Sequence, residues 1–145
     1  MDQLGKLPAV FARKCVAKRI SRPEAAAFLD ANHRMGYASG RYHYALFETS
    51  GEKPVAVATF SSGRRMNDGT RSYEWVRYAS LEGTRVVGGM GKLLEAFARD
   101  VHPDDVMTYV DASQSDGSSY LEIGFTLEST ITRATHTNLK LRKRF

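Results

Sequence analysis

The run Arg-Val-Val-Gly-Gly-Met-Gly-Lys at positions 85–92 concentrates three glycines between two basic residues. Glycines permit a tight turn and let a ligand approach the backbone closely. A helix beginning here would add unpaired N–H groups and a positive dipole end, which together favour an anion such as pyrophosphate. The spacing matches neither a P-loop nor the dinucleotide fingerprint. A turn that serves only packing is the alternative.

Asp111 and Ser113 directly follow a short apolar run at 106–110, which we predict to be a strand. Open α/β sheets place their sites at the carboxyl ends of strands. Asp111 could therefore bind a cationic acceptor, or it could only cap the next turn. The spacing of His43, His102 and His136 is not that of metal ligands, so no metal is expected.

The elements that must position these residues are predicted from apolar periodicity. Strands are expected at 14–20, 41–49, 53–60, 71–79, 106–110, 125–131 and 135–141. Helices are expected at 22–32, with Ser21 as N-cap, at 89–100, and as a short turn within 115–124.

The resulting order is β-α-β-β-β-α-β-α-β-β, in which the helix at 89–100 is a right-handed crossover between two strands. We therefore predict one α/β domain over residues 1–145, with a loose or short helical lead-in at 1–12. Its sheet should be mixed and mostly antiparallel, with helices on both faces.

The chain has 145 residues and a formal net charge of +5, which favours acidic partners such as nucleotides or nucleic acid. Four basic residues lie at positions 140–144, which predicts either a solvated tail or a segment that binds nucleic acid. One cysteine, Cys15, suits a reducing compartment. No signal peptide and no apolar run of about 20 residues is visible, so the expectation is a cytoplasmic protein without membrane contact.

The Arg85-x-x-Gly88-x-x-Gly91 pattern resembles the Arg/Gln-x-x-Gly-x-Gly/Ala motif of the GNAT acetyltransferases, with one extra residue before the last glycine. The predicted order of elements resembles the same family from Cys15 to Leu141. This resemblance implies an acyl-CoA-dependent N-acyltransferase that passes acetyl from acetyl-CoA directly to an amine. The residues that it implies for the CoA pyrophosphate are Arg85, Val86, Val87, Gly88, Gly89, Gly91 and Lys92.

The resemblance also implies roles in catalysis and acceptor binding. Glu74 would be the general base for the amine, and Tyr120 would protonate the departing thiolate, as a phenol with a pKa near ~10 can do. His33 would border the acceptor, together with Asp111 and Ser113, which are placed there by their position at the end of a strand. A solvent-facing or ion-paired glutamate, a core tyrosine and a structural histidine are the alternatives for these side chains.

A narrower resemblance links short segments at 32–36, 74–77, 108–111 and 117–125 to a GNAT-like group that includes the phage DNA-modifying protein Mom. It implies a second hypothesis, a nucleic-acid base modifier. A third is a GNAT-shaped module that binds CoA or DNA without catalysis. The residues identify neither the acceptor, which could be a small molecule or a macromolecule, nor the oligomeric state.

Overall fold

A mixed sheet flanked by helices forms the part of the chain that the computed structural model describes, residues 7–145. The helices there are α1 Arg22–Asn32, α2 Gly89–Val101 and α3 Ser118–Glu122, with a 3-10 turn at Ala12–Lys14. The strands are β1 Ala9–Phe11, β2 Cys15–Arg19, β3 Tyr42–Glu48, β4 Pro54–Phe60, β5 Arg64–Arg65, β6 Arg71–Ser80, β7 Arg85–Val87, β8 Asp105–Asp111, β9 Thr126–Arg133 and β10 His136–Arg144.

The main sheet has the strand order β2-β3-β4-β6-β8-β10-β9, with the short β5 paired to β6. Neighbours are antiparallel except β6 and β8, which are parallel and joined through α2. The predicted mixed, mostly antiparallel sheet is therefore confirmed, as is the placing of the second helix between its two parallel strands. No helix of residues 7–145 is long and apolar enough to cross a membrane.

The helices cover both faces of the sheet. Ala45 and Val57 pack with α1, whereas their neighbours Leu46, Ala56 and Ala58 pack with α2. Successive strand residues point to opposite faces, so α1 lies on one face and α2 on the other. Below, these are called the α1 face and the α2 face.

Helix α1 begins where the sequence predicts, because Ser21 and Glu24 cap it reciprocally. The Glu24 N–H donates to Ser21 Oγ at 3.3 Å, and the Ser21 N–H donates to Glu24 Oε1 at 3.1 Å. This capping box satisfies two N–H groups at the start of the helix. Pro23 lies in the first turn, where its missing N–H has no consequence.

Three differences from the predicted elements concern the edges of the fold. Residues 9–11 of the predicted lead-in form β1, which pairs in parallel with β7 inside the predicted glycine-rich turn; residues 1–6 lie outside the described part. A second short strand, β5, lies in the predicted loop. The last strand, β10, continues to Arg144, so the basic residues at 140–144 belong to the sheet and the predicted solvated tail is wrong.

Candidate active site

The central strands β6 and β8 separate halfway along their length. They pair only where Ser72–Glu74 face Asp105–Met107. Beyond Glu74, β6 pairs with β4 alone, while β8 continues beside β10. A wedge therefore opens between the two strands. At its narrow end a hydrogen bond links them, in which the Thr108 hydroxyl donates to the carbonyl of Trp75 at 3.0 Å.

A β-bulge at Val76 changes which side chains line this wedge. Trp75 pairs with Phe60 and Arg77 pairs with Thr59, so Val76 is an extra residue on β6. Trp75 and Tyr78 would otherwise point to opposite faces, since they are three positions apart. With the bulge, both pack on the α2 face, edge-to-face at 6.2 Å between ring centroids.

A cavity of about 470 Å³ lies at the wide end of the wedge, between β6, the glycine turn and α3. Its lining residues are Leu7, Tyr78, Ser80, Thr84, Arg85, Val86, Gly88, Gly89, Met90, Gly91, Ser119, Glu122 and Ile123. The start of α2 therefore forms one wall of the cavity, and α3 forms the opposite wall.

The glycine turn presents free N–H groups to this cavity. Gly88 is the N-cap of α2 with a φ of 79°, a conformation that favours glycine. The N–H groups of Gly89, Met90 and Gly91 follow in the first turn, where no intrahelical acceptor exists. No acceptor elsewhere in residues 7–145 receives them. Together with the dipole of α2, they form an arrangement that suits a phosphate.

The seven loop residues predicted to contact a pyrophosphate fall into two groups. Five line the cavity: Arg85, Val86, Gly88, Gly89 and Gly91. Val87 and Lys92 do not; they border a depression on the outer side of the turn.

The ammonium of Lys92 is occupied by backbone carbonyls near the start of the described chain. Its Nζ donates to the carbonyl of Ala12 at 2.9 Å and also to that of Cys15. These contacts join α2 to the 3-10 turn and to the beginning of β2. Lys92 therefore connects the start of α2 to the segment around residues 12–15 and does not point into the cavity.

Glu74 is the last residue of β6 that pairs with β8. Its neighbours Tyr73 and Trp75 both pack on the α2 face, so its carboxylate is on the α1 face, beside a second cavity of about 180 Å³. Partial burial raises the pKa of Glu74 above 4.5, and the charge of Arg77 opposes this rise. A raised pKa brings the carboxyl closer to the range in which it can exchange protons at neutral pH.

Tyr120 lies in α3, on the face opposite to Glu74. Its ring packs edge-to-face on Trp75 and on Phe125, each at 5.4 Å. Burial raises the pKa of Tyr120, while the neighbouring hydroxyl of Thr108 opposes the rise. The phenol is therefore protonated at neutral pH. It lies near the hydrogen bond between Thr108 and Trp75 at the narrow end of the wedge.

The three residues predicted to border the acceptor lie near the α1 face, but their polar atoms have local partners. His33 follows α1, and its Nδ1 accepts from the Met35 N–H at 2.9 Å. Asp111 Oδ1 accepts from the N–H of Ser113 at 2.9 Å and from its hydroxyl at 2.7 Å. These bonds give Asp111 the turn-capping role that was one of its two predicted alternatives.

Tyr78 is a cavity residue that the sequence reasoning missed. Strand alternation alone would have grouped it with Glu74 on the α1 face, and the bulge that moves it has no signal in a single sequence. Burial, and secondarily the phenol of Tyr120, raises the pKa of Tyr78 to about 12. Its hydroxyl is therefore a hydrogen-bond donor at neutral pH.

The basic residues of β10 hold the narrow end of the wedge together. Arg142 Nη1 pairs with Asp105 Oδ1 at 2.5 Å, and its other nitrogens pair with the carboxylate of Glu128. Lys140 reaches the same carboxylate at 3.3 Å. Asp105 also accepts from the hydroxyl of Ser72 at 2.6 Å. These contacts link β6, β8, β9 and β10 on the α1 face.

Comparison with solved structures identifies the fold. A protein from Desulfovibrio desulfuricans described as an acetyltransferase of the GNAT family superposes with a TM-score of 0.65 at 15% identity, covering 90% of this chain and 98% of its own. A Bacillus subtilis acetyltransferase in complex with CoA superposes with a TM-score of 0.66 at 16% identity. The match covers 91% of this chain and 99% of the other. A Salmonella typhimurium protein described as an acetyltransferase, in a structure with acetyl-CoA, superposes with a TM-score of 0.64 at 13% identity. The match covers 90% of this chain and 94% of the other.

The chain therefore has the GNAT fold over nearly its whole length. No protein-family model and no curated protein matches the sequence. The neighbours give no support to the narrower resemblance to Mom-like proteins. Within residues 7–145, no cluster of three or more His, Cys, Asp or Glu side chains could hold a metal ion.

Proposed function

We propose that the protein is an acyl-CoA-dependent N-acyltransferase that uses acetyl-CoA. The observation that carries this proposal is the cavity at the start of α2, where the first-turn N–H groups and Arg85 face an open space beside the wedge. Neighbours of the same fold hold CoA or acetyl-CoA, which supports this choice among phosphate-bearing ligands.

The glycine turn would hold the pyrophosphate. The N–H groups of Gly89, Met90 and Gly91 have no other partner in the described chain, and the dipole of α2 favours a negative charge at this point. Arg85, which also lines the cavity, adds a positive charge. The pantetheine arm would extend from this point into the wedge between β6 and β8.

Two side chains would move protons on opposite faces of the sheet. The bound cofactor supplies an acyl thioester, and the acceptor supplies an amine. Glu74 would accept the amine proton, directly or through water, from the α1 face. Tyr120 would hold a proton on its phenol oxygen on the α2 face and deliver it to the leaving sulfur. The reacting groups would lie at the narrow end of the wedge, where the gap between β6 and β8 connects the two faces of the sheet.

The amine acceptor would approach Glu74 from the α1 face. The cavity beside Glu74 is also lined by Tyr109, Met107 and basic side chains of β10. The acceptor would be a small-molecule amine or an exposed amine of a macromolecule.

Binding of CoA is tested by its effect on the melting temperature. A ligand that binds only the native state stabilises it, by about 2.7 kcal/mol at 100 times its Kd. For a domain of this size, we expect CoA at that excess to raise Tm by roughly 5–10 °C. Absence of a shift at millimolar CoA would contradict the proposal.

The site of binding is tested with Gly91→Glu and the matched control Gly91→Gln. A Cβ on Gly91 would meet only ordinary contact, 3.6 Å from Ile123 Cγ2, and a glutamate suits the first turn of a helix. Both variants should therefore fold. The glutamate should abolish the CoA shift through charge repulsion, whereas glutamine should keep most of it. Equal responses of the two variants would place the phosphates elsewhere.

A further inference from the structure

The hydroxyl of Tyr78 lies close to the start of α2, beside the cavity described above. A Cβ added to Gly89 would lie 2.5 Å from this oxygen, so the oxygen is close to the first turn of the helix. Tyr78 lines the cavity, and no hydrogen bond within residues 7–145 uses its hydroxyl. The ring of Tyr78 is half-buried. Its oxygen keeps access to the open space of the cavity, where a ligand can reach it.

Two local features position this hydroxyl. The bulge at Val76 turns Tyr78 to the α2 face, where its ring packs perpendicular to that of Trp75. Gly89 then leaves the space that the hydroxyl occupies, because any side chain there would collide with it. The oxygen is thus fixed beside the same first turn whose N–H groups face the cavity.

We propose that the Tyr78 hydroxyl donates a hydrogen bond to the cofactor pyrophosphate and completes the anion site at the start of α2. This inference rests on the proposed function. It assigns to β6 a side-chain contact with the phosphates, in addition to the backbone N–H groups of the glycine turn. The raised pKa of about 12 keeps the donor proton in place at neutral pH.

The test compares the CoA affinity of the wild type, Tyr78→Phe and the control Tyr42→Phe, by titration calorimetry. Tyr42 packs on Phe97, near the other end of α2, and lines none of the cavities described above. Losing a hydrogen bond to a charged group should weaken CoA binding roughly 10- to 100-fold in Tyr78→Phe. Tyr42→Phe should bind CoA as the wild type does.

Ligand fragments distinguish a phosphate contact from a general effect on the cavity. Tyr78→Phe should weaken 4′-phosphopantetheine and leave pantetheine, which has no phosphate, unchanged. Equal weakening of both fragments would overturn the phosphate assignment. The ring remains in the variant, so the Tm of the unliganded protein should match that of the wild type and confirm that its packing is intact.

The outcomes separate the two claims. If the wild type does not bind CoA, the proposed function fails. If the wild type binds CoA and Tyr78→Phe binds it equally well, only the role of Tyr78 fails. A selective loss in Tyr78→Phe supports both.

Discussion

Glu74 and Tyr120 approach the narrow end of the wedge from opposite faces of the sheet. Glu74 is on the α1 face at the last pair between β6 and β8. Tyr120 packs against Trp75 on the α2 face. Under the proposed function, this placement lets Glu74 serve the attacking amine and Tyr120 serve the leaving thiolate from separate sides.

Substitution of these two residues should separate chemistry from binding. Glu74→Gln and Tyr120→Phe should each lower kcat by about 10²–10⁴-fold and leave the affinity for CoA nearly unchanged. The measurement is steady-state kinetics on an amine substrate, with CoA affinity determined in parallel. If both variants keep wild-type rates, transfer depends on positioning alone.

The pH profile gives a second test of Glu74. Burial raises its pKa above 4.5, so the basic form is lost at a higher pH than for an exposed glutamate. We expect kcat to fall as the pH drops through this raised pKa, and this acidic limb should be absent in Glu74→Gln. An identical acidic limb in the variant would assign it to another group.

Two glycines of the turn, Gly89 and Gly91, have different surroundings, which alanine substitution should reveal. Gly89→Ala places a methyl group 2.5 Å from Tyr78 Oη and 2.9 Å from Val86 Cγ1, and should destabilise the fold by about 1–3 kcal/mol. Gly91→Ala meets only Ile123 at 3.6 Å and should be neutral or stabilising. Denaturant unfolding measures both; equal losses would contradict this assignment.

At the scale of elements, the sequence predicts what periodicity and capping determine. Helix α1 matches its predicted range, and its cap follows from Ser21 and Glu24. The strands β1 and β7 have three residues each, which is too short for an alternation signal, and they lie about half of the chain apart in sequence. The sequence did not predict the last residues of β10 as a strand, because a run of basic residues indicates a solvated segment. Their pairing with Glu128 and Asp105 is visible only in the structure.

The cluster around Arg142 should make stability depend on pH. Hydrogen bonding to Arg142, opposed by desolvation, lowers the pKa of Glu128 from 4.5 to about 2. A lowered pKa means that the folded state favours the charged form, so this contribution is full above 4.5 and is lost as the pH falls towards 2.

Glu128→Gln removes that contribution. The Tm of the variant should be lower than that of the wild type at pH 7, and the difference should shrink as the pH falls from about 4.5 towards about 2. Thermal unfolding across this range is the measurement. A difference that is constant with pH would show that Glu128 contributes through packing and not through its charge.

At the scale of the molecule, the mixed sheet was predictable because its order of strands and helices follows from local patterns and a crossover rule. The GNAT fold itself was predictable only through the resemblance of the glycine motif and of this element order to that family. The wedge and its cavity were only partly predictable. The glycine turn has a signature in the sequence, whereas the bulge at Val76 and the outward position of Lys92 depend on pairing between distant segments. Tyr78 is therefore visible only in three dimensions.

The central claim is that the first turn of α2 binds the phosphates of CoA. Amide chemical-shift mapping during a CoA titration tests it most directly, because the N–H groups of Gly89, Met90 and Gly91 have no other acceptor in the described chain. These three amides should show the largest changes, with saturation at a common Kd. Binding of CoA that leaves them unchanged, or no binding at all, would contradict the account.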